Sequence, residues 1–231
     1  MNPDTIELKM RAAHRAVELV QSGMIVGLGH GSTAFYALQR IAALLHSGKL
    51  HHIRGVPCSQ AVFREARKLR IPLVSLNQRP VIDLTIDGAD EFDEAMNLIK
   101  GGGGALLKEK IVAQASRREI IIVDESKLSP LLGTHCAVPV EVVPDGWRTH
   151  VAFLEGLGAQ VLLRKKDDGA PFKTDRRNVI LDANFGPIEN PTQLARDLNG
   201  RAGIIEQGLF IGMATDIIIA GKDGVHHIKR K

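Results

Sequence analysis

Asp87 and Asp90 stand three residues apart with only Gly88 and Ala89 between them, and small intervening residues let a ligand come close to both carboxylates. Such a pair can bind Mg²⁺, hold sugar hydroxyls, or divide acid and base work; a turn-capping aspartate is the plain reading of either one alone. Lys100 is followed by Gly101, Gly102, Gly103 and Gly104. Four glycines carry a backbone-entropy cost that an ordinary loop need not incur, and close approach of a ligand to the main chain explains them. Glu109 has Ala105, Leu106, Val112 and Ala113 as its three- and four-residue neighbours, so no ion pair along a helix is available to it. That fits a sheltered carboxylate whose pKa burial would raise toward the range of a general base. An exposed, helix-forming glutamate is the alternative, and Lys108 shares the same apolar surroundings.

A second group of residues suits an anion. Gly27, Gly29, His30, Gly31, Ser32 and Thr33 follow an apolar run and open a helical stretch, which aims backbone N–H groups and two hydroxyls outward at the positive end of a helix. The pattern is a poor dinucleotide fingerprint, because Ser32 stands where the third glycine belongs and no acidic residue occurs between Gly31 and Glu65. No Gly-Lys-Ser/Thr follows either, so a monophosphate suits it better than a nucleotide. Lys127 comes just after another apolar run and could pair with phosphate. The histidines include His51-His52 and His226-His227 but no H-E-x-x-H spacing, which argues against zinc catalysis. A G-x-S-x-G elbow is also missing, since Ala34 takes the place of its last glycine.

Composition sets the class. In 231 residues, 44% hydrophobic and 24% charged, an ordinary globular protein is expected. Thirty lysines and arginines against 26 acids give a net charge of +4, a mild excess that favours an anionic small substrate. Aromatics are only 4%, which speaks against a nucleic-acid surface of basic and interleaved aromatic residues. No apolar run approaches the length of a membrane helix, about 18 residues or more. The polar amino-terminal segment lacks the apolar core of a signal peptide. Cys58 and Cys136 are far apart, suggesting neither a disulfide framework nor a zinc site, so a cytoplasmic location is expected.

The elements that must position these groups alternate in type. Helical spacing predicts a helix from the first residues to near Gly23, then a strand over 24–28 and a helix from the glycine turn to His46. Strands are expected over 53–58, 71–76, 81–86 and 119–123, with helices over 60–69 and 105–115. Three polar motifs, at 27–33, 87–90 and 124–127, begin where a strand ends. In an open α/β sheet the carboxyl ends of the strands line the ligand crevice, so parallel strands would bring the three together. The fold class expected is α/β, an open and mostly parallel Rossmann-like sheet with helices on both faces, plus a smaller α+β domain. Texture places the boundaries at residues 1–133 with 207–231 for the first and 134–206 for the second. Two closing strands, over 208–212 and 216–220, are expected to rejoin the first sheet.

These motifs, taken in order, resemble type A ribose-5-phosphate isomerase: Gly27 to Ala34, Asp87 to Asp90, Lys100 to Lys110, and Asp124, Glu125, Ser126 and Lys127, with Asn178 to Asp182 and Gly208 to Phe210 behind them. The resemblance runs over nearly the whole chain. It implies interconversion of ribose 5-phosphate and ribulose 5-phosphate in the non-oxidative pentose phosphate pathway, without metal or organic cofactor, in a two-domain protein that forms a homodimer or dimer of dimers. Carried across, Glu109 takes the general-base position, and Lys100 with the amides of Gly101, Gly102 and Gly103 would stabilise the developing oxyanion. Asp87, Gly88, Ala89 and Asp90 would hold sugar hydroxyls and assist ring opening. His30, Gly31, Ser32, Thr33 and Lys127 would contact substrate, phosphate included. One departure is His30, where the family usually has threonine. Rivals on a similar fold are glucosamine-6-phosphate isomerases, CoA transferases and sugar-phosphate-sensing regulators, and Schiff-base chemistry at Lys100 or Lys127 is a further alternative that borohydride trapping would expose.

Overall fold

A computed structural model describes residues 3–230. In chain order the elements are α1 (Pro3–Val17), β1 (Ile25–Leu28), α2 (Ser32–His46), β2 (Arg54–Pro57), α3 (Gln60–Lys68), β3 (Leu84–Asp87), β4 (Glu91–Phe92), β5 (Leu98–Ile99), α4 (Leu106–Gln114) and β6 (Glu119–Asp124). A 3₁₀ turn at Glu125–Lys127 precedes β7 (Val138–Val142), α5 (Trp147–Gly156), β8 (Gln160–Leu163), β9 (Val179–Asn184), α6 (Pro191–Asn199), β10 (Ile204–Gln207), β11 (Leu209–Phe210), β12 (Asp216–Gly221) and β13 (Gly224–Lys229).

The chain divides into two compact units. One holds Met1–Ala89, Lys108–Lys127 and Met213–Lys231. Its six-stranded sheet has the order β13-β12-β6-β3-β1-β2, parallel throughout except for the β12–β13 hairpin. This is the mostly parallel α/β sheet that the alternation of elements predicts. Its central strands are buried end to end: every residue of β6, sequence EIIIVD, lies in the interior. Such continuous apolar runs belong to strands covered on both faces. The core joins Val26, Leu28, Leu84, Ile86, Ile120 and Ile122 to the apolar stripes of α1 and α2.

The other unit holds Asp90–Leu107 and Leu128–Gly212. It contains a four-stranded antiparallel sheet, β10-β7-β9-β8, and a three-stranded one, β11-β5-β4. Val138, Val140 and Val142 alternate inward against Leu154 of α5 and Leu198 of α6. Residues 90–107, which texture groups with the larger domain, fall in this unit, because Ile99 of β5 is buried in the same cluster as Leu209 of β11 and the valines of β7.

Local chemistry shifts several other boundaries. The first helix stops at Val17 rather than near Gly23, since i→i+3 bonds from Leu19 and Val20 tighten its last turn. The strand expected over 71–76 is a single parallel bridge, Gly55↔Leu73. Pro72 has no N–H to give to a ladder; its carbonyl accepts from Gly55, whose own carbonyl accepts from Val74. Of the two closing strands only β12 rejoins the large sheet, while β11 pairs with β5. The two-residue strands β4 and β5, the bulged β10 and the half-exposed β13 have no clear period-2 pattern to announce them.

Asp216, at the head of β12, is buried and accepts from Arg118 Nη2 at 2.7 Å, from the Thr215 hydroxyl at 2.7 Å and lies 2.7 Å from His227 Nε2. Burial alone would raise its pKa, but the bonds from Arg118, Thr215 and His227 and the charge of Arg118 outweigh it and hold the carboxyl below its ordinary 3.8. Glu141 of β7 shows the opposite balance, with burial pushing it up despite bonds from Asn178 and Thr174. A depressed carboxyl stabilises the fold above its unfolded pKa and loses that contribution as pH falls through the folded value. Asp216→Asn is therefore expected to cost about 1–3 kcal/mol at pH 7. In thermal melts the gap from wild type should narrow once pH drops below 3.8. A gap independent of pH would show that the charge on Asp216 contributes nothing.

Candidate active site

In the larger unit β1, β2, β3 and β6 run parallel, so Leu28, Pro57, Asp87 and Asp124 all end on one edge of the sheet. The segments that follow them, 29–33, 58–59, 88–89 and 125–127, therefore line the carboxyl edge where open α/β sheets hold their ligands. Two of the glycines read as a phosphate cradle have a different first duty. A Cβ on Gly27 would stand 1.8 Å from Thr85 Oγ1, and one on Gly29 would stand 2.5 Å from Asp87 Cα. Both glycines let β1 pass close against β3. The reward is at Asp87, whose Oδ1 accepts the N–H of His30 at 2.9 Å and that of Gly88 at 2.8 Å.

Asp87 is 1% exposed and Glu109 5% exposed. One carboxylate oxygen of each, together with the Sγ of Cys58, lie within 4.8 Å of one another. This trio is the set of donors, among the described residues, that could hold a cation. It also places a buried glutamate beside a buried aspartate. Helix α4 presents Glu109 by reversing the usual polarity of a helix: Glu109 and Lys110 are interior while Ile111 is 41% exposed. Packing alone would bury the isoleucine and expose the charged pair, so the inversion is the unusual feature of this helix.

Gly31, at φ +111°, is the residue before α2 and offers no side-chain cap. Ser32 is consequently the first helical residue, exposed, and its Oγ accepts from Lys9 Nζ at 2.9 Å. Lys9 comes from α1 and carries no spacing signal that would tie it to Ser32 from sequence. A lysine ammonium and a hydroxyl thus meet beside the first amides of a 15-residue helix, the positive end of its dipole. Thr33 is half-buried on the same turn. The imidazole of His30 points to the loop after β2, with Nδ1 2.9 Å from Ser59 Oγ, the hydroxyl that caps α3 through Val62 N–H. Lys127, half-buried, closes the turn after β6, which Asp124 shapes by accepting the amide and hydroxyl of Ser126.

The remaining candidates lie in the smaller unit. Lys100 is 2% exposed, with its Nζ 5.5 Å over the ring of Phe210. Its N–H donates to Gly208. Beyond it the glycines turn tightly, with Gly101 at φ +104° and Gly104 at φ +77°, and Gly104 N–H donates to Gly101 at 2.9 Å. Gly102 N–H donates to Asp90 Oδ2 at 2.7 Å. Thus Asp90 is joined to the glycine loop, as Asp87 is joined to His30 and Gly88.

A sequence profile of the family described as ribose 5-phosphate isomerase A (phosphoriboisomerase A) matches residues 54–224. A curated protein from Chloroflexus aurantiacus named ribose-5-phosphate isomerase A is 56% identical over 229 residues, covering 99% of this chain and 96% of that one. Among solved structures, ribose 5-phosphate isomerase from Plasmodium falciparum matches with a TM-score of 0.95 and 41% identity over 98% of this chain and 99% of its own. A D-ribose-5-phosphate isomerase solved in complex with phospho-erythronic acid matches with a TM-score of 0.95 and 37% identity, over the whole of both chains.

Because a backbone atom of Asp87 fills the space beside Gly29, Gly29→Ala cannot be relieved by a side-chain rotation and should cost about 3 kcal/mol, the upper end of what overpacking usually costs. Gly48, at φ +71° with nothing within 4 Å of a built Cβ, is the control: Gly48→Ala should cost only about 1 kcal/mol. Equal denaturation midpoints for the two variants would show that the β1–β3 approach is not tight.

Proposed function

The chain belongs to the ribose-5-phosphate isomerase A family and interconverts D-ribose 5-phosphate and D-ribulose 5-phosphate, a step of the non-oxidative pentose phosphate pathway, and we propose that Glu109 carries the proton. In the forward direction its carboxylate takes the proton from C2. The C2–H electrons become the C1–C2 double bond, and the aldehyde oxygen takes up negative charge as an enediolate. The proton on the C2 hydroxyl leaves, that on O1 arrives, a carbonyl forms at C2, and Glu109 returns its proton to C1. The observation that carries this reading is a buried carboxylate on a polarity-inverted helix face, within reach of Asp87 at the carboxyl edge of the sheet. A base that must take up a proton from one carbon and return it to the next is best kept out of bulk solvent, beside the reacting atoms.

Other roles follow from charge and chemistry. Lys100 is a buried cation and suits the developing oxyanion, together with amides of the glycine loop. Asp87 and Asp90 accept sugar hydroxyls and serve ring opening. Ser32, Thr33, Lys9 and Lys127 take the phosphate, with Lys9 added by its bond to Ser32. His30 contributes its backbone N–H, which holds Asp87, more than its ring. The reaction so written routes no step through a metal, and an ion among Cys58, Asp87 and Glu109 would occupy the base. Two thiols suit a reducing compartment, which supports a cytoplasmic location; a homodimer or dimer of dimers is the assembly this reading carries, and sedimentation would test it.

Glu109→Gln keeps shape and hydrogen bonding but removes the base, and general-base catalysis contributes about 10²–10⁴ in rate, so kcat should fall by at least that range while KM changes little. Wild-type activity should survive exhaustive EDTA treatment. Near-normal turnover by Glu109→Gln would move the base elsewhere, with Asp87 the first to test; loss of activity in EDTA, restored by a divalent ion, would bring the Cys58, Asp87 and Glu109 donors into the chemistry.

A further inference from the structure

Arg164, the residue after β8, is engaged on two sides. Its Nε and Nη2 donate to the two carboxylate oxygens of Asp182 on β9, at 2.9 and 2.5 Å, the parallel fork that only a guanidinium makes. Its Nη1 donates to the main-chain carbonyls of Gly101, at 2.7 Å, and Gly102, at 3.0 Å. The guanidinium carbon also lies 6.0 Å from the centroid of the Phe172 ring. That ring occupies the place of a side chain on Gly104, where a Cβ would stand 2.4 Å from Phe172 Cε1. One arginine and one phenylalanine thus brace the glycine loop from the segment between β8 and β9, far along the chain.

Peptide planarity turns this bracing into aim. In a trans peptide the carbonyl of one residue and the N–H of the next point in opposite directions. With its carbonyl held on Arg164, Gly101 turns the Gly102 N–H away from the guanidinium, and that N–H is found on Asp90 Oδ2. By the same rule the carbonyl of Gly102 on Arg164 turns the Gly103 N–H away as well. Gly103 is exposed, so its amide can meet a ligand, whereas that of Gly102 is taken by Asp90. Glycines bring no side chain of their own to restrain these peptide planes.

We propose that Arg164, locked by Asp182, is a positioning residue for the isomerisation: by holding two glycine carbonyls it sets the Gly102 amide on Asp90 and aims the amide of Gly103 at the oxygens of the enediolate. The inference rests on the reading of the glycine loop as the oxyanion site. Lysine cannot replace the arginine, because a single ammonium cannot grip both Asp182 oxygens in plane while donating to two carbonyls.

The test compares Arg164→Met, Arg164→Lys and Asp182→Asn with wild type, measuring kcat, KM for ribose 5-phosphate, and Ki of phospho-erythronic acid, whose carboxylate resembles an enediolate in charge. For Arg164→Met, kcat should fall about 10- to 100-fold with KM within about threefold, and Ki should rise in step with the loss of kcat/KM. Arg164→Lys should recover only part of the loss, and Asp182→Asn should lose less than Arg164→Met. A purely structural role would lower the melting temperature and the active fraction without moving Ki. Unchanged kcat and Ki in the folded Arg164→Met protein would overturn the proposal. If that variant does not fold, wild-type kcat and Ki in both Arg164→Lys and Asp182→Asn would do the same. Lys100→Met separates the two layers: if it weakens kcat and inhibitor binding while the Arg164 variants do not, the oxyanion reading stands and the positioning role falls. If neither has an effect, the oxyanion reading falls and the positioning role with it.

Discussion

No side chain fits at residue 29, and the carboxyl edge of the larger unit depends on that constraint. The place of a Cβ there is taken by Asp87, so the end of β1 can pass close enough to β3 for His30 to donate its N–H into the Asp87 carboxylate. Two backbone amides then hold a carboxylate that is almost wholly buried, as a desolvated charge requires. The same carboxylate is a neighbour of Glu109 and Cys58. Remove the glycine and the aspartate shifts, and with it the wall beside Glu109.

The smaller unit meets the same difficulty with other means. Its glycine loop has no side chains to fix it, and the order it shows comes from outside: from Arg164 on two carbonyls, Phe172 against Gly104, and Asp90 on the Gly102 amide. Lys100 enters the interior with its ammonium over the face of Phe210. Preorganised dipoles of this kind cost no reorganisation when charge develops, which is why they dominate electrostatic catalysis. Both units therefore hold backbone groups in place through a few buried side chains.

Much of this was legible in the sequence, for physical reasons that differ by element. The strand EIIIVD of β6 and the alternation of strands with helices announce a parallel sheet, and a parallel sheet dictates that the motifs after β1, β3 and β6 share an edge. Glu109 stood out by the absence of helical partners, and it is buried. What could not be read was long-range. Lys9 meets Ser32 only because α1 packs beside α2, and Arg164 meets Gly101 only through the pairing of β8 with β9 and the turn of the loop. The glycines at 27 and 29 suggested a ligand, where the first cause is the approach of two strands. Strands of two residues, such as β4 and β5, are too short for any period to show. Residues 71–76 look like a strand but contain Pro72, which leaves one bridge.

The central claim is that one buried carboxylate, Glu109, takes a proton from C2 and gives it back at C1. The direct measurement is exchange of carbon-bound hydrogen when ribose 5-phosphate is turned over in D₂O, followed by proton NMR for wild type and Glu109→Gln at substrate concentrations that saturate both. Wild type should place deuterium on carbon whenever the carboxyl proton equilibrates with solvent before its return, while Glu109→Gln, still binding substrate, should show none on the same timescale. Deuterium entering carbon at the wild-type rate in Glu109→Gln would contradict the account.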